Sequence, residues 1–259
     1  MPVELQPLAT PIPSLDLPLL RRTCRACALH ALCLPASISP DVLNSLDAIV
    51  RARRPLDRGQ QLFASGSRFQ SLYVVRSGSF KTMLETNGGD QQVLGFHLPG
   101  EIIGFDALSD DVHRCNAEAM ERSSVCEVPF AQLDEFASTV PGLRRQLMRV
   151  ASREVVKDHE HLMIMGRKQA QERLAIFLRS LSDRYRGLHR APELLELPMS
   201  RHELANYLGL VVETVSRLFT RFEELGVLAV NRKQIRIVDF AKLNELAGEP
   251  SPNLESEAC

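Results

Sequence analysis

The chain has no tryptophan, and only three tyrosines and eleven phenylalanines among its 259 residues. Few large aromatic rings are on hand to wall a deep ligand cavity. No stretch of about 18 uncharged apolar residues occurs, so no transmembrane helix is expected. The opening residues, MPVELQPLATPIPSLDLPLLRR, contain Glu4 and several prolines. They lack the basic start and long apolar segment of a secretory signal. The expectation is a cytoplasmic protein, in which thiols stay reduced. The formal net charge is −1, so charge balance alone selects no nucleic-acid partner.

What is present is unevenly distributed. Residues 37–139 hold 9 basic and 14 acidic side chains, net −5, whereas residues 140–190 hold 12 basic and 5 acidic, net +7. Such asymmetry suits an acidic partner such as DNA, and equally a solvated helix face. Three cysteines fall within CRACALHALC, at Cys24, Cys27 and Cys33. A disulfide framework uses pairs and a closed metal site commonly four ligands, so three imply a further ligand elsewhere. Cys115, Cys126 and Cys259 complete the six. Four thiolates suit zinc or an iron–sulfur cluster, and ligand count does not choose between them or a redox thiol group. Arg21, Arg22 and Arg25 would favour thiolate formation.

Residues 40–50 predict a short helix with Leu43, Leu46, Ile49 and Val50 on one side. From about Arg53 to Pro129 the segments QLFAS, SLYVVRSG, SFKTMLET, QQVLGFHL and SSVCEVPF recur between glycine turns. Many short strands of this kind predict an antiparallel sandwich or roll. A helix then runs from near Pro141 to about Met165. Arg144, Met148, Ala151, Val155, Asp158, Leu162 and Met165 follow in steps of four and three, a heptad seam. The seam predicts pairing with a second helix or packing on the chain's own roll. Asp158 within it would repel its copy in a self-dimer, which suits a switchable pair. A further helix is expected over about 168–186, with Leu174, Ile176, Phe177 and Leu181 apolar.

The segment from Leu197 to Asp239 is the most informative. Ser200 and Glu203 have capping-box spacing, and Leu204, Ala205 and Leu208 follow at helical period. Gly209 permits a tight turn into a second helix, about Val212 to Leu225, which Gly226 ends. Leu228–Val230 and Ile235–Ile237 flank Asn231–Gln234 as a hairpin. Helix, turn, helix and basic hairpin together predict a winged helix-turn-helix. Glu213, Ser216 and Arg217 lie opposite its apolar face as candidate base contacts. Arg201, Thr214, Arg221, Arg232 and Lys233 are candidate phosphate contacts. A plain surface ion pair between Glu213 and Arg217 is the competing interpretation.

These parts together resemble the Crp/Fnr transcription regulators, from Cys24 to about Gly248. Val212-Glu-Thr-Val-Ser-Arg217 is similar to the recognition-helix motif of the FNR branch, in which Glu, Ser and Arg read a TTGAT half-site. Gly95 to Ala107, GFHLPGEIIGFDA, is similar to the same branch. The resemblance implies an α+β chain: an N-terminal double-stranded β-roll of cyclic-nucleotide-binding type, a long dimerisation helix and a C-terminal winged helix-turn-helix. The implied segments are an arm with the cluster cysteines (1–36), a roll (37–139), the dimerisation helix (140–166), the DNA-binding domain (167–249) and a polar tail (250–259). The cysteine spacing resembles that of the branch, whose three arm cysteines and one distant cysteine hold an oxygen-labile [4Fe–4S] cluster. Cys126 matches the distant position, while Cys115 lacks the matching neighbours.

In function, the resemblance implies an oxygen-responsive regulator of anaerobic metabolism and no enzyme. Its cluster would be held by Cys24, Cys27, Cys33 and Cys126. Loading would pin the arm to the roll and promote homodimerisation through the seam, with Asp158 as the opposing charge. The expected partners are a palindromic operator in double-stranded DNA, RNA polymerase through Thr86, Gly89 and Asp90, and a second copy of the chain. Gly88-Gly89-Asp90 also reads as a simple hairpin turn. Leu32 and Ala28 are candidates for limiting oxygen access, and Leu32 reads equally as a plain core leucine. The nucleotide-binding branch follows its Gly-Glu-Leu segment with Arg and Ser or Thr. Here Gly100-Glu101-Ile102 is followed by Arg114-Cys115, which argues against cAMP. A cluster-free regulator answering a small effector or thiol oxidation is the alternative. An enzyme with a reactive cysteine is a third, and His97, His113 and His202 show no spacing that calls for it.

Overall fold

A computed structural model describes Cys24, Cys27, Leu29, Cys33, residues 40–85 and residues 88–248. Helix α1 (Pro40–Ile49) leads into eight strands, followed by α2 (Phe130–Thr139). The strands are β1 (Arg51–Ala52), β2 (Gln61–Phe63), β3 (Ser71–Ser77), β4 (Phe80–Glu85), β5 (Gln91–His97), β6 (Ile102–Ile103), β7 (Asn116–Ala119) and β8 (Ser124–Pro129). They form two antiparallel four-stranded sheets, ordered β1-β8-β3-β6 and β2-β7-β4-β5. This is the expected roll. Val75, Phe80, Ile103, Ala117 and Val125 fill one roll core. A second core joins Leu46 of α1 to Leu72, Val74 and Val128 of the sheet, Leu133 of α2, and Leu143 and Leu147 of the next helix.

That helix, α3, runs Pro141–Arg167, with proline at its start where no helical N–H is needed. Its first turns bury Leu143, Gln146 and Leu147, and its remaining length is exposed or half-buried. Helix α4 (Ala170–Gly187) follows, then β9 (Leu194–Glu196), α5 (Arg201–Leu208), α6 (Val212–Glu224), β10 (Leu228–Asn231), β11 (Gln234–Ile237) and α7 (Phe240–Leu246). The Ser200–Glu203 capping box is closed from both sides, Ser200 accepting the Glu203 N–H and Glu203 the Ser200 N–H. Gly209 takes φ 61°, and a Cβ there would stand 3.3 Å from Arg173 Nη1 and 3.4 Å from Met165 Sδ. Only glycine suits both the turn and that approach. The wing has three strands, β10-β11-β9, one more than the sequence suggested.

Arg173 of α4 knits these helices together. It donates to the carbonyls of Met165 and Lys168 at the end of α3, and to that of Leu208 at the end of α5. Helix ends leave such carbonyls without intrahelical partners, so one guanidinium serves two helices. No described helix is long and apolar enough to cross a membrane.

Candidate cysteine site and nucleic-acid interface

Cys24, Cys27, Cys33 and Cys126 all line one small, partly open cavity. Leu29, Leu46, Val50, Val74, Val75 and Val128 supply its apolar wall, and Arg76 lies at its edge. Cys27 N–H donates to Cys24 O at 3.2 Å, and Cys33 N–H to Leu29 O at 3.1 Å. The fourth sits on β8, fixed between β3 and β1 opposite Val74 and Ala52. One rigid and three arm-borne donors therefore face a single space.

Asp47 of α1 holds the arm, accepting the Cys24 N–H at 2.5 Å. Burial first, and then Asp47 and the neighbouring cysteines, push the Cys24 thiol well above its ordinary range. Burial likewise raises Cys126, against the opposing pull of Arg76. The five described cysteines are all unpaired by disulfides. Among the described residues no three His, Cys, Asp or Glu side chains converge to hold a single metal ion.

Cys115 stands apart, buried in the roll core with Phe63 and Val125. Burial and Asp106 raise its thiol to about 12. Asp106 accepts the Arg114 N–H at 2.7 Å and the Cys115 thiol at 3.6 Å. Glu101 accepts two hydrogen bonds from Arg184. The two segments that resemblance marks for a nucleotide are thus engaged within the chain. Arg21, Arg22, Arg25, Ala28, Leu32, Thr86 and Cys259 lie outside the described residues.

Along α3 the seam is open to solvent in the single chain. Met148 is 65% exposed, Val155 52% and Leu162 68%, with Val156 and Met163 beside them. Arg144 and Asp158 are exposed too, and Ala151 is half-buried. The seam does not pack on the chain's own roll.

Helix α6 buries Val215, Phe219 and Phe222 and turns Glu213, Ser216 and Arg217 outward. Among the described residues no ion pair joins Glu213 to Arg217, and both side chains are exposed. Ser216 Oγ donates to Val212 O at 2.9 Å. Thr214 is half-buried, whereas Arg221, Arg232 and Lys233 are exposed, the last two at the wing turn where Arg232 has φ 55°. The Lys233 ammonium also reaches Pro198 O at 3.3 Å. Arg201 lies with its guanidinium 3.4 Å from the Phe219 ring centroid, and its buried Nη1 has no hydrogen-bond partner. A buried donor without an acceptor is costly. Gly89 and Asp90 are exposed in the β4–β5 turn.

Residues 53–139 match the cyclic nucleotide-binding domain and residues 172–246 the Crp-like helix-turn-helix domain. The chain is similar to the transcriptional activator protein FnrA of Stutzerimonas stutzeri, 45% identical over 225 residues, which is 87% of this chain and 92% of that one. It is 42% identical to the fumarate and nitrate reduction regulatory protein of Escherichia coli K12, over 87% of this chain and 90% of that one. Among solved structures, FixK2 from Bradyrhizobium japonicum superposes with a TM-score of 0.70 at 29% identity, covering 76% of this chain and 97% of that one.

Proposed function

The chain belongs to the Crp/Fnr family of transcription regulators, as an Fnr-type DNA-binding regulator and not an enzyme, and from that premise we propose that it senses oxygen through a [4Fe–4S] cluster held by Cys24, Cys27, Cys33 and Cys126. One observation carries the reading: these four thiols, and not Cys115, line a single apolar cavity. Four cysteines on one pocket match the ligand number of a [4Fe–4S] cluster, in which each iron takes one thiolate. When bound, such a cluster supplies an oxygen-labile link between the arm and β8.

The chain's own residues make that link matter. Asp47 and the Cys24 N–H seat the arm against α1. Gln146 joins Cys33 to α3. Beyond Gln146, α3 exposes an apolar seam interrupted by Asp158. Two chains meeting along that seam bring two carboxylates together, so pairing is poised near balance. A shift from mostly monomer to mostly dimer needs about 5.5 kcal/mol of differential stability or less. The dimer would set two copies of α6 about 34–36 Å apart, one DNA turn, on a palindrome of TTGAT type. Arg217 and Glu213 read base edges there, while Arg201, Thr214, Arg221, Arg232 and Lys233 hold phosphates. Exposed Gly89 and Asp90, with Thr86, offer a loop to RNA polymerase. A cytoplasmic setting fits such a role.

The test is purification without oxygen, with iron and sulfide counted per chain and sedimentation run before and after air. About four of each per chain, a brown dimer and its decay to colourless monomer in air are expected. A colourless protein carrying one zinc overturns the cluster.

A further inference from the structure

The recognition module does not hang freely from α3. Strand β5 is the outermost strand of its sheet, with backbone groups that would otherwise lie unpaired. Asn206 of α5 occupies that edge. Its side-chain oxygen accepts the Val93 N–H at 2.6 Å, and its Nδ2 donates to Gln91 O at 2.6 Å. Gln92 completes the contact, donating to Asn206 O at 3.0 Å. One amide thus mimics the pairing of a neighbouring strand.

Two charged anchors flank it. Arg184 of α4 grips Glu101 with Nε and Nη2 at 2.9 and 2.8 Å, and also donates to Phe96 O at 2.6 Å. Lys81 of β4 bridges Glu203 of α5 and Glu118 of β7 at 2.7 and 3.0 Å. Between the anchors, Phe96 packs against Phe177 and Tyr207. Val93, Phe96, Leu98 and Met120 of the roll belong to the same core as the helix-turn-helix.

The shared apolar core supplies the cohesion. Partly buried ion pairs add little net stability and serve better to fix geometry. Arg184 is bidentate, a form that constrains direction as well as distance. Glu203 and Asn206 sit on α5, one glycine turn from α6. We infer that Arg184, Glu203 and Asn206 are positioning residues for operator recognition: they clamp the helix-turn-helix to the roll of the same chain, so that α6 is held at a fixed angle and the signal acts on pairing rather than on orientation. The inference rests on the DNA-binding reading but is independent of the cluster.

The test uses the full chain, purified without oxygen, and duplexes bearing two TTGAT half-sites. Their spacing is native or changed by one or two base pairs. In the wild type the Val93 amide should be protected from hydrogen exchange. Arg184→Gln and Asn206→Ala should each speed that exchange and leave dimer content unchanged. They should weaken binding to the native spacing by about tenfold, because the freed module must be ordered on binding. Binding to altered spacings should fall less, so discrimination by spacing narrows. Three results overturn the clamp: a freely exchanging Val93 in the wild type, unchanged affinity and spacing preference in both variants, or a loss of dimer that accounts for the weaker binding. Wild-type chain that binds none of the duplexes removes the DNA-binding premise, and the clamp with it.

Discussion

Gln146 donates its side-chain amide to the backbone carbonyl of Cys33 at 3.4 Å, across 113 positions of sequence. Gln146 is 3% exposed on the first turns of α3, and Cys33 is the last of the three arm cysteines. The contact joins the cavity to the helix that carries the proposed dimer seam. Gln146→Leu keeps the bulk and removes the donor. The expected result is a chain that still takes up iron and sulfide but pairs about 1–2 kcal/mol less strongly without oxygen. Sedimentation equilibrium with iron counted in parallel decides this. Wild-type pairing would make the contact a purely local one.

Cys126 and Cys115 offer a paired test of the ligand set. Both are thiols on the roll, yet only Cys126 faces the cavity. Cys126→Ser should lose the visible absorption of anaerobically purified protein and most of its iron. Cys115→Ser should keep both, at a stability cost of about 1 kcal/mol for placing a hydroxyl in a core. Equal iron in the two variants would refute the assignment.

Much of this arrangement is legible in the sequence, for local reasons. Alternation marked β2, β3, β4, β5 and β8, and the capping box with Gly209 marked the helix-turn-helix. Strands β1 and β6 have two residues each, too few to show a period. Strand β9 is Leu-Leu-Glu, without the β-branched residues that signal a strand. Helices α2 and α7 are short and follow a strand end or a turn directly. The clamp was invisible because its pairs are distant: Lys81 and Glu203 are 122 positions apart, Glu101 and Arg184 83. Composition and period carry no trace of such pairings. Resemblance, not spacing, singled out Cys126, and the fold places it on the same pocket as the three arm cysteines.

Acid should loosen the molecule in two stages. Burial lowers His97 from 6.5 to about 4, so the unfolded chain binds more protons there than the folded one. Its contribution is full above pH 6.5 and declines as pH falls toward 4. Burial opposes ionisation of Glu203, but hydrogen bonds from Lys81 and Ser200 outweigh it and hold the carboxyl at about 2. Its contribution is full above the unfolded value of 4.5 and is lost as pH falls from there toward 2. Denaturant midpoints across about pH 3–8 should therefore drop in both windows. His97→Gln should flatten the upper one and Glu203→Gln the lower. Unchanged slopes in the variants would assign the acid response to other groups.

Asp158 is exposed on a seam whose neighbours are apolar. Two unit charges about 4 Å apart repel by about 1 kcal/mol in water and more where solvent is displaced. Asp158→Ala should tighten self-association by about tenfold or more and yield dimers in air. Asp158→Asn should do the same with little change in side-chain volume. If both variants remain monomeric in air, the exposed face of α3 is not the pairing surface.

Arg217 and Arg221 lie four positions apart on α6 and separate the two ways a basic side chain serves DNA. Arg217 is exposed near the start of the helix, in the position proposed above for a base contact, and no ion pair neutralises it among the described residues. Arg221 stands one turn further along, in the position proposed above for a phosphate contact. Arg217→Ala should cost about 1–3 kcal/mol on the matched duplex and almost nothing on one with the contacted base changed. Arg221→Ala should weaken both duplexes alike and lower the salt slope by about one unit. Anisotropy titrations on matched and mismatched duplexes at several salt concentrations read both effects at once. Uniform loss for Arg217→Ala would move it to the phosphate class and leave Glu213 and Ser216 as the base-reading pair.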